Sequence, residues 1–213
     1  MTTPDTSIET SSVAHQTQHQ TQHQSSVAEF ILGRYSPRVY APEPIQATDM
    51  QTLFEAASWA ASSSNAQPWM YIYDHRGGET FERILRCLNE SNQAWAQHSA
   101  ALVISLVNTK NAKGGNNRFA HHDVGMSNAT LLLQAQTMDI YGRMMGGYDI
   151  NKVREAFAVP EDFDISAIIA LGYRGDLELA SEADRERELR PRARKEVQRI
   201  AFTQSPFVSG PEA

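Results

Sequence analysis

A single cysteine, Cys87, stands in the 213-residue chain, so no internal disulfide can form and the stapled scaffolds of small secreted proteins are excluded. No run approaches the roughly eighteen apolar residues of a membrane span, and no charged-then-apolar leader pattern occurs. These absences lead us to expect a cytoplasmic protein with no membrane partner. Basic residues are also short: 19 Lys and Arg against 25 Asp and Glu leave a net charge of −6, the wrong sign for a chain that lives on nucleic acid or anionic lipid. No strand is followed by Gly-x-Gly-x-x-Gly, and neither Gly-x-x-x-x-Gly-Lys, Gly-x-Ser-x-Gly nor His-Glu-x-x-His occurs. Rossmann dinucleotide binding, P-loop phosphate binding, serine-hydrolase and zinc-protease chemistry are therefore unsupported.

What is present divides unevenly. Residues 1–28 hold no Lys, Arg, Phe, Trp, Tyr or Leu and are dominated by Gln, Thr, Ser and His around HQTQHQTQHQ. Such a segment has too little apolar area to offset its ordering entropy, which predicts a disordered tail. His15, His19 and His23 are spaced four apart and would form one metal-binding stripe on a helix, but nothing beside them nucleates a helix and a solvated tail is the simpler reading. The remainder is expected to form one domain over 29–200 with a C-terminal extension over 201–213.

Helix-like and strand-like segments alternate through that domain, which predicts an α+β or α/β sandwich. A short helix is expected through Phe30, Ile31 and Leu32. Thr48 and Gln51 form a capping box ahead of Met50, Leu53, Phe54, Ala57 and Ala60, an amphipathic helix over 49–61. WMYIYD at 69–74 reads as a strand and Phe81, Ile84, Leu85 and Leu88 as a helix, while the unbroken apolar AALVISLV at 100–107 reads as a strand covered on both faces. Val124 to about Ile140 reads as a long, largely apolar helix capped by Asp123, either central or in a subunit contact. Asp149 is expected to cap a short helix through Val153 and Phe157, and ISAIIALGY at 165–173 to form another buried strand. His121, His122 and Asp123 are consecutive, so their side chains point in different directions and cannot all converge on one metal.

Three segments carry candidate chemistry. Arg34 and Arg38 flank the Ser36 hydroxyl; two planar, bidentate donors and a neutral one suit a phosphomonoester, although two surface arginines beside a turn serine would look the same. The turn SSSNAQPW at 62–69 sets small hydroxyls and a carboxamide between helix and strand. MMGGYD at 144–149 places two glycines ahead of a helix start, where backbone can approach a flat ring or an anion closely. Near the C-terminus, RPRARK at 190–195 is locally cationic inside an acidic chain.

Together these segments resemble the nitroreductase family of flavin enzymes. The resemblance rests on GRYSPRVY at 33–40, EAASWAASSSNAQPW at 55–69, NQAW at 92–95, MMGGYDINKVREAFAVP at 144–160 and ALGYRGD at 170–176, all in family order. It implies an α+β fold, an α/β/α sandwich with a mixed, mainly antiparallel sheet, in an intertwined homodimer with FMN at the subunit interface. Position by position, it assigns the flavin phosphate and ring edge to Arg34, Tyr35, Ser36 and Arg38, and the closing basic pair to Arg192 and Arg194. Ser62, Ser63 and Asn65 would reach FMN from the other subunit, Asn92 would contact the ring, and the Met145, Gly146 and Gly147 backbone would lie beside its reactive edge. Met144 and Met145 stand where the family usually has a proline-containing stretch, which predicts an adaptable thioether wall near the flavin. The implied activity is hydride transfer from NAD(P)H through FMN to an electron-poor acceptor such as a nitroaromatic or quinone, in ping-pong order and with no catalytic side chain. A flavin-binding or sequestering protein without turnover, or a member that oxidises a specific substrate with oxygen, would carry the same binding motifs.

Overall fold

The computed structural model describes residues 27–204 and 206, so His15, His19 and His23 lie outside the described residues. The chain divides into a larger unit, Val27–Arg190, and a smaller one that contains Pro191 onward. In chain order the larger unit forms α1 (Glu29–Gly33), α2 (Ala47–Ser58), β1 (Trp69–His75), α3 (Glu79–Cys87), α4 (Glu90–Ala96), β2 (Ala101–Asn108), α5 (Ala120–Thr137), β3 (Tyr141–Met145), α6 (Ile150–Phe157), β4 (Phe163–Gly172) and α7 (Glu182–Glu188). The described part of the smaller unit contributes one short 3-10 turn, Val197–Arg199.

The strands pair in the order β1-β2-β4-β3, and all three ladders are antiparallel. Successive side chains of a strand face opposite ways, so an unbroken apolar run needs cover on both sides. Leu102, Ile104 and Leu106 of β2, with Ile168 and Ala170 of β4, pack with Phe81, Ile84 and Cys87 of α3, Trp95 of α4 and Val153 of α6. Ala101 and Val103, with Ile169 and Leu171, pack with Met50, Leu53 and Ala57 of α2 and Leu131, Leu132 and Ala135 of α5. The register sets Leu102 opposite Ala170 and Val103 opposite Ile169, so like faces meet across the pair. The result is the expected α/β/α sandwich. No helix among the described residues is long and apolar enough to cross a membrane.

Local corrections follow from where the elements begin. α2 starts at Ala47, ahead of the expected position, so Thr48 lies within its first turn and the capping box does not form; Thr52 Oγ1 instead donates to the Thr48 carbonyl at 3.0 Å. α5 begins at Ala120 after Phe119, so Asp123 is inside its first turn rather than its cap. The same helix ends at Thr137, and Asp139 in the left-handed region at φ 54° turns the chain into β3, a strand that the sequence pattern did not announce. Asp149 does cap α6, its Oδ1 accepting from the Asn151 and Lys152 amides at 2.9 and 3.1 Å.

A buried polar network fastens α5 to the sheet. Ser105 Oγ donates to Asn128 Oδ1 at 2.9 Å, Tyr71 Oη lies 3.0 Å from that oxygen and 2.8 Å from Ser127 Oγ, and Ser127 donates to the Ala57 carbonyl at 2.9 Å. Burial raises the Tyr71 phenol to about 12, against its ordinary 10.0. Burial also raises Tyr35, Tyr40 and Tyr148. A phenol whose pKa is higher in the folded than in the unfolded chain stabilises the fold fully below about pH 10, and the contribution is lost as pH rises through the folded value. Tyr71 alone should therefore cost on the order of 2–3 kcal/mol between about pH 10 and 12. Denaturant unfolding from pH 8 to 11.5 is expected to show falling stability, with a shallower slope in Tyr71→Phe; a pH-independent midpoint would contradict it.

Candidate functional site

Downstream of α1 the chain turns through Arg34–Arg38, and four guanidinium groups gather there. Arg34 Nη1 donates to Ser36 Oγ at 2.9 Å, and Arg143 of β3 donates Nη1 to the Ser36 carbonyl at 2.7 Å. The Arg38 and Arg143 guanidiniums each lie 5.6 Å from the centre of the Trp95 ring, which stacks on Tyr40 at 6.3 Å. Arg174 lies 5.0 Å over Tyr35 and 5.6 Å over Tyr141. The buried Glu188, at the end of α7, faces this group: its Oε1 accepts the Arg38 amide at 2.6 Å and its carbonyl accepts the Tyr35 hydroxyl at 2.8 Å. Burial first, then the Arg143 and Arg187 charges, depresses the Arg38 pKa. A guanidinium nevertheless stays protonated, so the group concentrates positive charge, with the Asp184 and Glu188 carboxylates both acting on Arg38.

The cluster continues along β3, an edge strand. Asn92 and Trp95 are three apart on α4 and share one of its faces. Asn92 Nδ2 donates to the Gly147 carbonyl at 3.1 Å, and the Asn89 amide donates to the same oxygen at 3.0 Å. A Cβ on Gly147 would lie 2.5 Å from Asn89 Nδ2 and 2.6 Å from Asn92 Nδ2, so any larger residue would displace these carboxamides. Gly146 is exposed, and a Cβ there would meet nothing within 4 Å. Met145 is corrected: pairing opposite Ile168, it turns its side chain into the core at 4% exposure, and only Met144, at 48%, is free to form a thioether wall. Alternation along the strand allows one of two neighbours on the open face.

Ser62, Ser63 and Asn65 come together elsewhere. Ser63–Asn65 forms a 3-10 turn, and Ser64, Asn65 and Gln67 all adopt left-handed backbone at φ 53°, 54° and 46°. Non-glycine residues held there store strain, which persists when neighbours fix the backbone. Asp123, 1% exposed, does so: its Oδ2 accepts the Ser63 amide at 3.0 Å, while Ser62 Oγ accepts the Gln67 amide at 3.1 Å. His122 Nδ1 lies 3.2 Å from Asp123 Oδ1, whereas His121 Nε2 lies 3.0 Å from Asp164, so the two histidines serve different carboxylates.

The serine turn and the arginine end of β3 do not meet within one chain. The serine turn adjoins Trp69, which pairs with Val107 at one end of the sheet, whereas Tyr141 pairs with Gly172 at the other end and on the opposite edge. Eight strand residues and three strand spacings put them roughly 25 Å apart. Arg192 and Arg194 belong to the smaller unit, where Arg194 Nη1 donates to the Ala193 carbonyl at 2.7 Å. The residue assignments left out Arg143, Glu188 and Arg174, the last standing within ALGYRGD, and all three reach the Arg34–Arg38 turn only through tertiary folding.

Residues 31–173 match the family model described as the nitroreductase family. A Mycolicibacterium smegmatis protein described as "Uncharacterized 15.4 kDa protein in ask 5'region" is 31% identical over 141 residues, covering 62% of this chain and 94% of its own. An Archaeoglobus fulgidus protein provisionally named an NADH dehydrogenase/NAD(P)H nitroreductase is 28% identical over 160 residues, covering 73% and 90%. A crystal structure titled as an oxidoreductase containing FMN superposes with a TM-score of 0.82 at 27% identity, covering 89% of this chain and 96% of that one.

Proposed function

The chain belongs to the nitroreductase family, and we propose that it is an oxidoreductase that uses FMN. The observation that carries this reading is the row of donors along the β3 edge, running from the Arg34–Arg38 turn through Arg143 and Trp95 to Asn92 and Gly147. Its chemistry fits the cofactor at both ends. The gathered guanidiniums supply positive charge for a phosphate, and the exposed backbone at Gly146 leaves room for a flat ring. The Trp95 indole N–H, buried in the same cluster, has no hydrogen-bond partner among the described residues.

Arg34 and Arg38 would hold the phosphate bidentately, with the Ser36 hydroxyl, which accepts from Arg34, free to donate its own proton to it. Tyr35 braces this turn against Glu188. Asn92 and the Met145–Gly147 backbone would flank the ring. Ser62, Ser63 and Asn65 adjoin the sheet edge opposite this row of donors, which supports a homodimer in which each turn completes the partner's site. When bound, FMN supplies the redox chemistry between a reduced nicotinamide and an acceptor, so the protein needs to orient the reactants and bias the local charge. The finer proposal is that NAD(P)H is the donor, as the name of the Archaeoglobus relative suggests, and that an electron-poor acceptor then uses the same surface in ping-pong order. The half-exposed Met144 would adapt to differing acceptors. We place the FMN-binding domain at residues 29–200 and, with a single cysteine, the protein in the cytoplasm.

Steady-state oxidation of NADH or NADPH with a quinone or nitroaromatic tests this. Parallel double-reciprocal lines are expected; intersecting lines would overturn the ping-pong order, and binding of FMN without turnover would overturn the enzyme.

A further inference from the structure

Only two carboxylates are buried among the described residues, Asp123 and Glu188. Asp123 fastens the serine turn. Glu188 is the one buried residue of α7, a helix whose other charged side chains face outward or lie half-buried. A buried carboxylate is costly unless hydrogen bonds satisfy it, and this one accepts from a backbone amide, that of Arg38 at 2.6 Å. Its carbonyl takes the Tyr35 hydroxyl at 2.8 Å. Two donors of one five-residue turn thus converge on a single residue about 150 positions later in the chain. Its Oε1 is committed to the Arg38 main chain and its carboxylate also faces the Tyr35 hydroxyl, which suits a role in holding the turn.

We infer that Glu188 is the positioning residue of the phosphate-binding turn: from the end of α7 it fixes the Arg38 backbone and the Tyr35 ring, so that Arg34, Ser36 and Arg38 present their donors to the phosphomonoester of FMN. This rests on the FMN reading above. The Glu188 negative charge also offsets guanidiniums that otherwise repel one another. Glu188 thereby sets the preference for a phosphorylated flavin over an unphosphorylated one.

The test compares FMN with riboflavin, which lacks the phosphate, by quenching of flavin fluorescence on the full-length protein. Glu188→Met keeps side-chain length and removes the acceptor; Glu188→Gln keeps an acceptor oxygen and removes the charge. Glu188→Met is expected to weaken FMN binding by roughly tenfold or more while riboflavin changes by less than about twofold, and Glu188→Gln to stay within about threefold of the parent for FMN. An equal loss for both flavins in Glu188→Met would reduce the residue to a general structural role, and tighter FMN binding in either variant would make it a competitor of the phosphate; each overturns the inference. If Glu188→Met does not fold, Glu188→Ala takes its place with the same expectation. A parent protein that takes up riboflavin and FMN equally keeps the flavin reading and overturns the inference, whereas a parent that takes up neither overturns both.

Discussion

Arg38→Ala is expected to purify without flavin and to bind added FMN roughly 10 to 100 times more weakly than the parent, since a charge-assisted bond to an anion contributes about 1.5–3 kcal/mol. The same substitution should leave thermal stability nearly unchanged. Burial and the neighbouring Arg143 and Arg187 charges already disfavour the charged form of Arg38 in the fold, so its removal relieves repulsion while giving up contact with the Trp95 face. Such opposition between stability and binding is common where a site concentrates like charges. Calorimetric melting beside flavin content checks both halves; a variant that still carries a full complement of FMN would remove Arg38 from the phosphate site.

The second large effect concerns the division of the site between chains. Asn65→Val puts a β-branched residue at φ 54°, where it is strained, and deletes the carboxamide of the serine turn, so it should lose FMN as Arg38→Ala does. In a homodimer whose sites each combine one chain's arginine turn with the other's serine turn, a mixed dimer of the two variants has one site with both defects and one with neither. Differentially tagged chains, purified as the heterodimer, are expected to recover one FMN per dimer. If the two turns served one ligand from the same chain, both sites of the heterodimer would stay defective. Recovery of no flavin therefore overturns the proposed arrangement, and the roughly 25 Å between the turns within one chain is the physical reason to expect recovery.

How much could be seen in advance depended on whether the information was local. β2 and β4 were legible because an apolar run of strand length has few other uses, and their parity then assigned each side chain to one layer. β3 was hidden: Tyr-Gly-Arg-Met-Met has no β-branched residue and directly follows an apolar helix, so the helical pattern ran on toward it. Without that strand both thioethers read as open, whereas on a strand a single step reverses the face and turns the Met145 side chain inward. The arginine and serine turns were readable as motifs since their residues are contiguous. Glu188 was not, because in sequence it is one acid among the mixed charges of α7 and only its contacts with Arg38 and Tyr35 distinguish it. Asp123 reads in sequence as a helix cap, the commonest use of an acid at that place; the helix starts one turn earlier and frees its carboxylate for Ser63.

The central claim is that this chain holds FMN and passes electrons from a nicotinamide through it. An absorbance spectrum of the purified, FMN-loaded protein from about 300 to 600 nm, recorded anaerobically before and after NADH and then NADPH, tests it most directly. The account predicts a protein-bound flavin band that bleaches with at least one nucleotide and returns on addition of a quinone. A protein that takes up no FMN, or a bound flavin that neither nucleotide bleaches, would contradict it.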